Sequence, residues 1–453
     1  DEQNLKVDSY GGFSSYTGVG GTYDKLGIWA ESVVKTGDSY REHTDFTIQN
    51  YALKLAYDFD EDLRGFLQVD YFDDETDLAG GLSPTQFEQD PEQSVSPENR
   101  FEGDELRGNG RLDWEIDADS RLEITGFGFG GDRTFYLQKP IQTGSAYTRV
   151  DSTPRPMEVY ALQTQYSRRY ELGGVDGEVT GGLRYQYEDV TRKSVRYPVG
   201  SASFTRSHNV YDYNVLSAYV DNEFRWERWR VTPGVRLEVV DIDGRSKGTG
   251  NKVNRDFEEV LPALSASYLV EKDWSVYANI QSSFLPPQAN HVELSTTPQN
   301  IEAQYAWTYE IGTRGRFMDG LINPDLTLYH IDYEDRIERD PDYFNIRRNV
   351  GNTRHQGEEL ALNSELGALS RDLAGLEFNG SLSYNDSEFT NREFDGNEVP
   401  HAPNWLAYWE AKYHHRESGF WGALDGFFVG SAYSDSENTG PLNATGTRGK
   451  RDS

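Results

Sequence analysis

The feature that most constrains this chain is a two-residue alternation of apolar and polar side chains, repeated along almost its whole length. In 229–239, Trp229, Val231, Pro233, Val235, Leu237 and Val239 alternate with Arg230, Thr232, Gly234, Arg236 and Glu238. In 274–281, Trp274, Val276, Ala278 and Ile280 alternate with Ser275, Tyr277, Asn279 and Gln281. Leu216, Ala218, Val220 and Phe224 likewise oppose Ser217, Tyr219, Asp221, Glu223 and Arg225. Successive side chains of a strand point to opposite faces, so each such segment has one apolar and one polar side. No 3.6-residue period is sustained anywhere.

The connectors between these segments also alternate. Short acidic or glycine turns occur at 58–62, 116–120, 172–177, 225–228, 271–273, 317–320 and 415–419. Long polar stretches lie between them, at 74–103, 136–156, 192–208, 241–256, 284–303, 334–352, 387–402 and from 434 onward. A membrane barrel has this rhythm, with tight turns on the periplasmic side and long loops outside. The strands expected here run about 9–17 residues, enough to cross a bilayer at a tilt and longer than the roughly 5–6 typical of a soluble sandwich. About 19 are expected, the first two at 5–12 and 15–23. The fold class expected is all-β, a transmembrane antiparallel barrel of the 22-strand type. Such a lumen is too wide for side chains to fill.

Composition agrees. Of 453 residues only 36% are hydrophobic, yet 13% are aromatic, with 29 Tyr and 9 Trp. Mean hydropathy is −0.76. A disordered acidic chain would be poor in aromatics. A wall with one wet face and one aromatic-rich lipid face fits, and a soluble tyrosine-rich β-protein is the competing class. Zero cysteines exclude disulfides and thiolate chemistry. A net charge of −32 argues against nucleic acid as a partner. No window of about 18 apolar residues would form a transmembrane helix, as expected of a barrel. The chain starts at Asp1 without Met and ends in a polar stretch, and is expected to be a fragment, 1–453 being one barrel domain.

Several stretches carry a family resemblance. Ser283-Phe284-Leu285-Pro286-Pro287 follows Tyr277-Ala278-Asn279 as a strand-to-loop segment. Tyr309-Glu310-Ile311-Gly312, with Gly315 and Phe317, forms the next strand. Asn349-Val350-Gly351-Asn352-Thr353-Arg354 precedes Gly357-Glu358. Ala79-Gly80-Gly81-Leu82-Ser83-Pro84-Thr85-Gln86-Phe87 precedes Asp90-Pro91 and Gln93-Ser94. In this order they resemble the TonB-dependent outer-membrane receptors, and the last stretch is similar to the ferric dicitrate branch. The physical reading of Gly351 and Gly357 is a bulge or a close strand approach. Pro286 and Pro287 end a strand.

The resemblance implies an outer-membrane importer of ferric chelates, with ferric citrate or a siderophore as transported ligand and no cofactor. It also implies a plug and a TonB box ahead of the barrel, through which the TonB complex acts; neither these nor the last three strands lie in 1–453. Membrane lipid and lipopolysaccharide would surround the wall of a monomer. A passive channel or adhesin barrel, or a soluble carbohydrate-binding β-protein, are the alternatives.

An anionic chelate suits arginine, whose planar fork donates two hydrogen bonds to one carboxylate. Arg133, Arg149 and Arg155 fall in or beside 136–156, and Arg192, Lys193, Arg196 and Arg206 in 192–208. Chain order fits Arg149, Arg155 and Arg206 to the wall arginines that contact chelate in the ferric dicitrate receptors. Gln288, Asn290, Gln299, Asn345 and Arg347 lie in the two loops expected to close over ligand. The competing fate of all these cations is pairing with loop carboxylates or lipopolysaccharide phosphates. Asp332, Glu334, Asp335, Glu338 and Asp340 read as a solvated loop rather than a calcium site, and His414-His415 as a turn. No catalytic motif is found, so no enzyme and no metal site are expected.

Overall fold

The computed structural model describes residues 1–140, 148–198, 202–289, 291, 294, 301–339, 347–443 and 448–451. Strands dominate. The first seven are β1 (Glu2–Val7), β2 (Phe13–Tyr23), β3 (Leu26–Gly37), β4 (Phe46–Asp58), β5 (Leu63–Asp77), β6 (Arg100–Asp117) and β7 (Ser120–Pro140). Next come β8 (Thr148–Pro154), β9 (Met157–Leu172), β10 (Val175–Tyr197), β11 (Phe204–Trp226), β12 (Trp229–Ser246), β13 (Lys252–Glu271) and β14 (Trp274–Leu285). The sheet is completed by β15 (Gln304–Gly315), β16 (Asn323–Arg339), β17 (Arg347–Glu365), β18 (Leu376–Phe389), β19 (Trp405–His414) and β20 (Trp421–Val429). One short helix, α1 (Pro84–Gln89), sits between β5 and β6.

All 20 strands belong to one antiparallel sheet. Both β8 and β9 pair with β7 on one side and β10 on the other, in unbroken register. They are one strand line, interrupted at Arg155-Pro156 because proline has no N–H to donate. The 20 strands therefore fill nineteen positions across the sheet. A twisted sheet rarely exceeds about 10 strands without curling, so a wall of this breadth is a barrel wall.

The two faces of the wall differ as the alternation requires. Leu162 on β9, Leu183 on β10, Leu216 on β11, Leu237 on β12 and Val260 on β13 are all exposed on one side. Their sequence neighbours point the other way, where Val159, Ala161 and Ser217 are buried. The exposed aliphatic side is the lipid face and the polar side is the lumen. Trp226 and Trp229 face each other across the turn from β11 to β12. That places indole rings at the short-turn interface, where amphipathic aromatics anchor a barrel.

Two boundaries differ from the sequence expectation. The first two strands are Glu2–Val7 and Phe13–Tyr23 rather than 5–12 and 15–23. Asp8 Oδ1 accepts from the N–H groups of Tyr10 and Gly12, both at 2.9 Å, and folds 8–12 into a turn. More consequentially, much of what reads as long loop is strand. β10 and β11 each run 23 residues, whereas crossing the bilayer takes about 9–11. The excess projects on the long-loop side. No lipid faces that part, so its alternation need not be apolar/polar and cannot be seen as such.

Two glycines fit the strand-start motif. Gly351 has φ +127°, next to a register shift between β16 and β17. A Cβ at Gly357 would lie 1.9 Å from the Tyr384 carbonyl oxygen, so only glycine lets β17 and β18 approach there. Ser83 and Gln86 form a capping box on α1, which explains the Ser-Pro-Thr-Gln order in that loop.

Val220 is 45% exposed, on the lipid face about six residues above the periplasmic turn, near the bilayer midplane. Replacing it with Arg is expected to destabilise the full-length protein by ~2–4 kcal/mol. Equilibrium unfolding from lipid vesicles measures this.

Candidate functional site

The cations singled out in the sequence lie on the projecting part of the wall. On β8 and its continuation, Arg149, Asp151 and Arg155 share the side that carries Val159 and Ala161 in β9, which is the lumen side. Arg196 stands directly opposite Asp151 in the ladder between β8 and β10. Arg192 lies four residues earlier on the same face. Arg206 is the extra residue of a bulge in β11, where Ser194 pairs with Ser207 but Val195 with Thr205. A bulge re-aims its side chain, and Arg206 turns toward Asp151.

The arginines divide into groups. Asp151 gathers three: Arg196 Nε donates to Oδ1 at 3.0 Å, Arg149 Nε to the same oxygen at 3.2 Å, and Arg206 Nη1 lies 3.9 Å from Oδ2. Burial pushes the Asp151 carboxyl up, but the hydrogen bonds from Arg196 and Arg149 outweigh it and hold it below the usual carboxylate range. Asp151 is therefore ionised. Arg133 is drawn elsewhere. Its Nη2 donates to Glu105 Oε2 at 3.1 Å, and Arg107 holds the other oxygen of the same buried carboxylate.

Arg155 and Arg192 form the second centre. Burial first, and then the neighbouring Arg192, lower the proton affinity of the Arg155 guanidinium. Arg192 Nη1 donates to the Ala289 carbonyl at 2.6 Å. Among the described residues no carboxylate pairs with either of them. Two like charges therefore stand on one strand-to-strand step, and each disfavours the charged form of the other.

The segment after β14 folds back over this region. Ala289 and Leu294 are buried with Tyr211, Tyr213, Val240 and Ile242 of the wall. Tyr213 Oη donates to the Pro287 carbonyl at 3.5 Å, and Thr249 and Asn251 both donate to the Leu294 carbonyl. Gln288, exposed, donates its backbone N–H to His291 Nδ1 at 3.1 Å. Burial, then Arg347 and Arg192, hold His291 down to about 4. Arg347 and Arg192 thus both bear on His291. Arg347 also lines a recess of about 340 Å³ together with Ile301, Glu302, Asp335, Arg348, Asn349 and Arg392. Asn290, Gln299 and Asn345 lie outside the described residues.

Asp151, Glu105 and His291 were not legible as site residues. Asp151 is two residues from Arg149, the spacing of same-face strand neighbours, but that spacing means nothing until the segment is known to be strand. The acidic group at 332–340 is not a loop over its described part: Asp332, Glu334, Asp335 and Glu338 lie on β16, Asp340 lies outside the described residues, and the group divides. Glu338 pairs with Arg336 at 2.7 Å, Asp335 with Arg392 at 3.0 Å and Asp332 with His330 at 3.1 Å. His415 caps its own turn through Ser418, as the turn reading requires.

His291 makes the folded-back segment sensitive to acid. Its value in place, about 4, is below the ordinary 6.5, so the released segment takes up the proton first. The contribution of His291 to packing is complete above about pH 6.5 and falls as pH drops toward 4. Hydrogen-exchange protection of the Gln288 and Ala289 amides should decline over that window in the wild type. A His291→Phe variant should keep its protection, and equal decline in both would refute this.

Comparison with known proteins fits this geometry. The family described as TonB dependent receptor-like, beta-barrel matches residues 49–451. The ferripyoverdine receptor of Pseudomonas aeruginosa is 29% identical over 140 residues, covering 29% of this chain and 17% of that protein. The ferrichrome outer membrane transporter/phage receptor of Escherichia coli is 23% identical over 310 residues, covering 62% of this chain and 40% of that one. The chain spans 40% or less of the length of these two relatives. The crystal structure of the ferric citrate transporter FecA in its unliganded form matches with a TM-score of 0.87 at 25% identity, covering 99% of this chain and 68% of that chain. With the family match running over residues 49–451 of a wall that has one lipid face and one polar lumen, this chain belongs to the TonB-dependent receptor-like β-barrels of the outer membrane, a family of receptors and transporters rather than enzymes.

Proposed function

We propose that this chain is the barrel domain, 1–453, of a receptor that imports an anionic ferric chelate, ferric citrate foremost, with energy delivered through TonB. The observation that carries the reading is the Arg155–Arg192 pair. In a chain of net charge −32, two lumen-facing guanidiniums stand together with no carboxylate partner among the described residues, and Arg347 and Arg192 both bear on His291. Leaving cations unpaired in partly desolvated surroundings is costly, and an incoming polycarboxylate relieves that cost with charge-assisted hydrogen bonds. Arg149 and Arg206 form an outer station on the same path, and Gln288 flanks the inner one. The likeness to a ferric citrate transporter at 25% identity supports the same cargo.

Arg133 contributes less, because Glu105 already holds it. Asn345 is kept as a candidate on chain order alone. The wall is surrounded by outer-membrane lipid and lipopolysaccharide, and acts as a monomer. No observation on the lumen side favours a passive channel or an adhesin.

Calorimetry on the full-length receptor in detergent tests this, with ferric citrate, vitamin B12 and a ferric hydroxamate as ligands. Ferric citrate is expected to bind and the other two not. Arg155→Gln should weaken binding by about 2 kcal/mol, roughly thirty-fold, the scale of one hydrogen bond to a charged group. No heat with ferric citrate removes it as the cargo. Unchanged affinity in the variant removes Arg155 from the site.

A further inference from the structure

The outer station contains a carboxylate that an anion receptor would not obviously want. Asp151 Oδ1 accepts from Arg149 Nε at 3.2 Å and from Arg196 Nε at 3.0 Å. Its Oδ2 accepts from Arg196 Nη2 at 3.4 Å. Arg196 therefore already makes the two-pronged contact that a ligand carboxylate would seek. The Asp151 side chain is only 11% exposed, and exposure rises through Arg149, Arg196 and Arg206, from 17% to 24% to 45%. Arg206, held by a bulge and 3.9 Å from Asp151, is the least committed of the three.

We infer that Asp151 is a specificity-determining residue that keeps small carboxylates out by occupying the Arg149–Arg196 edge itself. The inference rests on the anionic-chelate reading of the lumen. A carboxylate fixed on the same strand is present at an effective concentration no dilute free anion matches. Among the described residues, a compact anion thus finds no converging pair of forks at this level, and Arg206 is the most open of the three arginines. The Arg155–Arg192 centre, which meets no carboxylate among the described residues, lies four residues deeper along the wall, about 13 Å at 3.3 Å per residue. A ligand gains both contacts only if it is extended and carries carboxylates at both ends. An iron chelate built from several carboxylates meets that requirement, and one iron-free citrate does not. Rejection of the near-relative comes from an occupied site rather than from a better fit to the cargo.

The test is calorimetry of the full-length receptor in detergent with iron-free citrate and with ferric citrate. Wild type should bind iron-free citrate at least a hundred-fold more weakly than ferric citrate. Asp151→Asn, which opens the Arg149–Arg196 edge, should raise affinity for iron-free citrate at least ten-fold and narrow that ratio. Asp151→Glu, which keeps the charge, should still reject citrate. If the Asn variant does not give heat-modifiable folded protein, Asp151→Ser, which also removes the charge and leaves Arg149 and Arg196 in place, carries the same expectation. Unchanged or weaker citrate binding in a folded Asn variant overturns the inference, as does citrate binding by the Glu variant. The citrate arm is independent of cargo. A receptor that ignores ferric citrate yet gains citrate in the Asn variant would sink the cargo reading and spare the role of Asp151. A receptor that binds ferric citrate without that gain would do the reverse.

Discussion

Everything in this wall depends on the backbone hydrogen bonds between neighbouring strands. Inside a bilayer each N–H and C=O must find a protein partner, because there is no water to take its place. The antiparallel ladder supplies that partner along nineteen successive strand positions. It also fixes which side chains face lipid. A one-residue slip would turn Leu183, Leu216 and Leu237 into the lumen and their polar neighbours into lipid. The same ladder continues past the bilayer, where lipid no longer demands it, and there it does different work. It holds charged side chains at fixed heights on the lumen side.

That rigidity fixes where a strongly acidic chain places its cations. On mobile loops, Arg149, Arg155, Arg192 and Arg196 would be expected to find carboxylates, which the chain has in excess. On adjacent strands their partners are set by register. Arg196 meets Asp151 because the ladder puts them opposite each other. Arg155 and Arg192 face no carboxylate among the described residues. Arg206 is turned into the group by one extra residue in β11. Charge placement here follows from backbone geometry, and the folded-back segment around Ala289 and Leu294 adds the apolar cover that raises the local strength of each charge.

The membrane-crossing half of the fold was legible in the sequence for a physical reason. Lipid enforces apolar/polar alternation in strands such as 229–239, and tight turns such as 225–228 must join them. Beyond the bilayer that signal ends. Residues 192–197 and 204–208 read as loop because Arg192, Lys193, Arg196 and Arg206 make them predominantly charged and polar, with only Val195, Tyr197 and Phe204 among them apolar or aromatic, yet they are strand. The site was legible only in kind. Arginine in an acidic chain drew attention to these residues, but the sequence did not reveal their partners. Arg133 and Arg155 look equivalent in sequence; register gives one Glu105 and leaves the other unpaired. Asp151 was invisible because its meaning depends on Arg196, forty-five residues away in the chain.

The central claim is that the lumen-side arginines of the projecting wall hold the iron chelate. A structure of the full-length receptor with ferric citrate bound tests it most directly. The account predicts chelate carboxylates within hydrogen-bonding distance of the Arg155 and Arg192 guanidiniums, with Asp151 still paired to Arg196. A chelate seated away from both guanidiniums would contradict it.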